Sequence, residues 1–209
     1  MPNGTRLANV TNGPMKTFLV SLLAAGCAVF RTGVSHGEVR PPIMPVAQAP
    51  VPTEKSPPGD IPDSQVFVTY ESPLGFSMKV PEGWARRETF KSVEFADKYN
   101  HITVAVTSRE QVPTLEDLQA HEIQELQRDG HGVHISGVKA VRLPSGNVFR
   151  VTYVADSERN AVTSKVIRLE NARYFFWKDG KLATLTLSAP AGADNADQWQ
   201  LMAGSFGWR

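Results

Sequence analysis

Between residues 65 and 209, apolar and polar positions alternate in short runs broken by Gly, Pro, Asn and Asp, the pattern of strands and tight turns. Val66–Glu71 and Phe76–Val80 flank Ser72-Pro73-Leu74-Gly75, and Pro81-Glu82-Gly83 turns the chain again, so the region opens with a hairpin. Val93–Ala96 and Ile102–Val106 form the next pair around a polar tip, Asp97–His101. Ile102, Val104 and Val106 alternate with Thr103, Ala105 and Thr107, which predicts one buried face. After Pro113 the period changes to that of a helix. Thr114 with Asp117 resembles a capping box, and Leu115, Leu118, Ile123 and Leu126 are expected on one arc before a stop at Gly130. Strands are predicted again over Val133–Leu143, Val148–Ala155, Val162–Leu169, Tyr174–Lys178 and Leu182–Ser188, joined through Pro144-Ser145-Gly146-Asn147 and Lys178-Asp179-Gly180-Lys181 as an antiparallel meander. From Ala193 a second amphipathic helix sets Trp199, Met202, Ala203 and Phe206 along one side, a surface that must dock on the sheet. The fold class this predicts is α+β, an antiparallel sheet with helices packed on it.

The pattern upstream of residue 65 is different. A 13-residue apolar run, Phe18–Phe30, follows Lys16, with Met15 a candidate start. As a helix it would span about 20 Å, short of the roughly 30 Å of a bilayer core, so it reads as an export leader and not as an anchor. The run contains Leu22-Leu23-Ala24-Ala25-Gly26-Cys27, and Cys27 is the only cysteine of the chain. A small-residue run ending at a cysteine resembles the bacterial lipobox, which implies that Cys27 receives a lipid and becomes the mature N-terminus. The match departs where Ala24 stands in place of the usual Leu. The alternative is ordinary cleavage at the Ala24-x-Gly26 pattern, with Cys27 no more than a small residue of a discarded leader. Eight prolines between residues 31 and 64, without apolar periodicity, mark a tether that cannot bury enough surface to offset its ordering entropy. The expected organisation is a lead and lipoprotein-type signal over 1–30, a proline-rich tether over 31–64 and one domain over 65–209.

Charge and chemistry narrow the reading. Residues 65–209 carry 17 Lys+Arg against 17 Asp+Glu, which excludes the broad positive excess that nucleic acid or an anionic lipid surface demands. No serine sits in a G-x-S-x-G elbow, the glycines are isolated turn residues with no phosphate-cradling loop, and no cofactor is expected. Asp194 and Asp197 open the last helix, where capping explains them better than a catalytic pair. His121, His131 and His134, with Glu122 and Asp129 nearby, form the one candidate metal set, although His131-Gly-Val-His134 lacks standard ligand spacing. Tyr174-Phe175-Phe176-Trp177 places aromatic rings on both faces of a strand. Either the fold covers both faces or one is a candidate binding surface.

The Phe76 strand, the Pro81-Glu82-Gly83-Trp84 turn, a strand pair, one helix, a long meander and a terminal helix ending in Ser205-Phe206-Gly207-Trp208 together resemble the PsbP-like family. That family includes the extrinsic lumenal subunit of photosystem II, bacterial lipoproteins and a eukaryotic Ran-binding factor. The resemblance covers about Val66–Trp208 and implies an α-β-α sandwich and an accessory or binding role without catalysis. The functional reading is an exported lipoprotein, held on the extracytoplasmic side of a bacterial membrane through lipid on Cys27, that serves an unidentified envelope protein as a binding or accessory module. The alternatives are an envelope enzyme or metal-dependent protein using His121, His131 and His134, and a purely structural envelope component.

Overall fold

The computed structural model describes residues 57–209. Cys27, the leader and the proline-rich stretch up to residue 56 lie outside the described residues. Two antiparallel sheets carry the fold. β1 (Phe67–Glu71) and β2 (Phe76–Pro81) form the expected hairpin, and a two-residue strand, β10 (Gly207–Trp208), pairs with β2 to complete a three-stranded sheet. The larger sheet has seven strands: β3 (Ala85–Glu88), β4 (Ser92–Ala96), β5 (His101–Ser108), β6 (His131–Leu143), β7 (Gly146–Asp156), β8 (Arg168–Lys178) and β9 (Lys181–Pro190). Their spatial order is β3-β4-β5-β9-β8-β7-β6, so the meander β6 to β9 runs back from the far edge and closes on β5.

One helix covers each face of the large sheet. The first runs over residues 115–129 as α1 (Leu115–Asp117), a π-helical stretch (Leu118–Ile123) and α2 (Gln124–Asp129). Its capping box forms as expected: Asp117 N–H donates to Thr114 Oγ1 (3.1 Å), and Thr114 N–H donates to Asp117 Oδ2 (3.0 Å). The expected single arc does not hold, because Leu115 is largely exposed while Leu118 and Ile123 are buried. Residues five apart stand about 140° apart on an α-helix. A π turn, closed by i→i+5 bonds, brings them nearer to one face, and that is how Leu118 and Ile123 both reach the sheet. The second helix, α3 (Ala196–Gly204), buries Met202 and Ala203 on the opposite face beside the small sheet. The protein is thus the α+β sandwich that the sequence implies.

Strand alternation separates two cores. Ala172, Tyr174 and Phe176 of β8 enter the larger one, with Phe76, Met78, Val104, Leu185, Leu187, Met202 and Phe206. Phe175 and Trp177 face the smaller one, under the first helix, with Val151, Tyr153 and Leu182. Burying such a side chain stabilises the fold by roughly 1.5–3 kcal/mol. Phe206 stacks between Phe76 (5.2 Å between centroids) and Phe176 (4.0 Å), joining the two sheets.

Three further differences from the expected pattern have physical causes. β3, Ala85-Arg86-Arg87-Glu88, is exposed at all four positions and gives no apolar signal. Val162–Ile167 is a loop and not a strand, with Val162 exposed and Ser164 at φ 56°, while β8 runs unbroken through Glu170–Arg173, where a connection was expected. The packed structure also begins upstream of Gln65. Ile61 is 3% exposed and lies in the larger core, its N–H donating to Asn195 Oδ1 (2.7 Å), and Asn195 Nδ2 donates to Gly59 O (2.9 Å). Gly59 has φ +95°, and a Cβ there would lie 2.5 Å from Pro190 Cδ, so this docking requires glycine.

Candidate functional site

The sheet is wider than the helix that covers it. α3 and the small sheet lie over the middle of one face, and the β6–β7 edge extends past them, so a cavity of about 450 Å³ opens between α3 and that edge. Its floor follows from register. Lys139 of β6 stands directly opposite Arg150 of β7, which stands opposite Tyr174 of β8, so the three side chains share a face. Gly137, Thr152 and Ala172 form the next row, and Val141 and Leu143 continue the alternation along β6. Trp199, Gln200 and Ala203 of α3 form the wall above. Arg142 also borders the cavity.

The electrostatics are one-sided. The lining holds Lys139, Arg142 and Arg150 and neither a carboxylate nor an imidazole. Among the described residues, none of the three takes part in an ion pair or a side-chain hydrogen bond. Three buried side-chain nitrogen or oxygen atoms among the described residues lack a hydrogen-bond partner, and one of them is Arg150 Nε. Arg109 and Arg168, by contrast, are paired with carboxylates. Arg109 lies 3.7 Å from Asp117 and 3.5 Å from Glu122, and Arg168 Nη1 donates to Asp156 Oδ1 (2.9 Å).

The residues singled out from the sequence lie apart from this cavity, with the exception of Tyr174. Phe175 and Phe176 are 2% exposed and belong wholly to the cores, so they are not an open binding surface, whereas Tyr174, 5% exposed, both packs in the larger core and lines the cavity. Alternation sends them to both faces, and both faces are covered. Trp177 is half-buried, and its Nε1–H donates to Arg109 O (2.8 Å), tying β8 to the segment before the first helix. His131 Nδ1 lies 3.4 Å from Glu158 Oε1 in an exposed pair, and His121 and His134 are exposed. Among the described residues, no group of three or more His, Cys, Asp or Glu side chains is placed to hold a metal ion. Sequence reasoning missed Lys139 and Arg150, because only the β6–β7 register brings them face to face. The alternation along each strand carries half of that signal.

No protein-family model matches the sequence, and no curated protein matches it either. Among solved structures, the chain is similar to cyanobacterial PsbP from Synechocystis sp. PCC 6803, with TM-score 0.51, 18% identity, and coverage of 72% of this chain and 98% of that one. It also aligns with the Saccharomyces cerevisiae Ran-binding protein Mog1p at TM-score 0.49 and 12% identity, over 69% of this chain and 96% of that one. Among the described residues, no helix is long and apolar enough to cross a membrane. At this level of identity the likeness concerns architecture, and it agrees with the element order, the two sheets and the helix on each face: the domain has the PsbP-like fold.

Proposed function

We propose that this protein is a membrane-tethered, extracytoplasmic binding or accessory module without catalytic activity of its own. The observation that carries the binding half is the cavity beside α3, which combines two aromatic residues with the cationic side chains of Lys139 and Arg150 and no carboxylate or imidazole to carry proton transfer. The PsbP-like fold is compatible with this role without fixing it. The tethering half rests on the lipobox-like Leu22–Cys27 and on the proline-rich segment that follows, which would hold the domain off the membrane from a lipid on Cys27. The partner served by the module is an envelope protein.

Two measurements test the halves separately. Cys27→Ser abolishes lipid labelling and membrane retention while leaving the thermal melting of the domain unchanged; undiminished retention would place the anchor elsewhere. Photo-crosslinkers introduced in cells at surface positions around the cavity mouth give a discrete protein adduct, and the absence of any adduct from these positions removes the accessory role.

A further inference from the structure

We propose that the cavity between α3 and the β6–β7 edge binds a small organic anion, a phosphate, sulfonate or carboxylate group carried on an apolar body. The inference deepens the binding-module reading and rests on it. Lys139 and Arg150 are directly opposed on neighbouring strands. Like charges at that spacing repel, and no acidic side chain in the lining relieves them. Arg150 Nε is buried with no acceptor. A buried donor left unmade costs more than its bond contributes when made, so Arg150 Nε favours an acceptor brought by a ligand, and the half-buried Arg150 and exposed Lys139 leave that ligand a way in. An anionic oxygen between the two cations would satisfy both and accept the charge-assisted hydrogen bonds that guanidinium groups make best.

The apolar body follows from the rest of the cavity. Its volume of about 450 Å³ exceeds the needs of a bare oxyanion and falls in the range of small-molecule sites, about 300–1,000 Å³. Val141, Leu143, Tyr174 and Trp199 give it an apolar and aromatic wall that inorganic phosphate would leave uncovered. A neutral aromatic molecule would cover the wall and leave the cations unpaired, and a metal ion would be repelled. Only a ligand with both parts answers every group in the lining.

The test titrates the full chain in neutral detergent with 1-naphthyl phosphate by calorimetry, with protein-free micelles as blank. The two halves of that probe, 1-naphthol and inorganic phosphate, are titrated in parallel. We expect one site per chain for 1-naphthyl phosphate and at least tenfold weaker binding of either half. Lys139→Glu is the decisive variant. It sets a carboxylate opposite Arg150, so it raises the melting temperature of the ligand-free protein and weakens the probe at least tenfold, a combination that a folding defect cannot produce. Arg128→Gln, on the helix of the opposite face, leaves binding unchanged. Parental affinity in Lys139→Glu, or 1-naphthol binding as tightly as its phosphate, overturns the proposal. Absence of probe binding while crosslinks at the cavity mouth persist also overturns it, in favour of an acidic peptide of a protein partner, and leaves the module reading standing. Loss of both removes both.

Discussion

Asn195 shows how much one buried amide can organise. It occupies the N-cap position of α3, yet its side chain makes no capping bond to the helix. At 3% exposure it instead accepts from Ile61 N–H and donates to Gly59 O and to Asn100 Oδ1 (3.3 Å). Asn195→Ala leaves a buried N–H and C=O unmade, at a cost of about 1–3 kcal/mol. Urea unfolding should show that loss, and the Ile61 amide should lose its protection from hydrogen exchange. Nothing near Asn195 in the sequence announces this role. Its partners Ile61 and Gly59 lie 134 and 136 residues away, and the local pattern reads only as a helix start. Lys139 and Arg150 were hidden for the same reason, since alternation shows which way a side chain faces along its own strand but not what stands across from it.

At the scale of elements, the helix over residues 115–129 was legible because its signals are local. Thr114, Asp117 and the change of period lie within a few residues of one another, and the capping box they predict is the one that forms. The Asp117 carboxyl is held below the usual carboxylate range, first by the hydrogen bond from Thr114 N–H and then by the Thr114 hydroxyl. A carboxylate whose pKa is depressed by folding stabilises the folded state above its unfolded pKa and loses that contribution as pH falls through the folded value. Acidification below about pH 4 should therefore loosen the start of this helix, seen as faster amide exchange over its first turn, and Asp117→Asn should flatten that dependence. Thr114→Ala should cost about 1 kcal/mol at neutral pH. Elements without a local apolar signal were not legible. β3 is a polar edge strand set by pairing with β4, and Val162–Ile167 has a strand's composition but no partner strand to join.

For the molecule as a whole, the sequence holds a single cysteine, so packing and hydrogen bonding hold the two sheets together without a disulfide. The Phe76–Phe206–Phe176 stack is the centre of that packing. Phe206 was expected on the apolar side of the last helix, but α3 ends at Gly204 and Phe206 leads into β10, which turns a helix tail into the bond between sheets. Phe206→Ala should cost about 3–5 kcal/mol and lower the melting temperature of both sheets together, as one transition in circular dichroism.

The docking of Gly59 and Ile61 on Asn195 also fixes a load path. Chain traction arriving from residue 56 meets those two hydrogen bonds before it meets the β1 ladder, which begins at Phe67. Asn195 immediately precedes α3, and α3 forms one wall of the cationic cavity. A pull on the leading segment therefore reaches the N-terminal end of that wall before it reaches the β1 ladder.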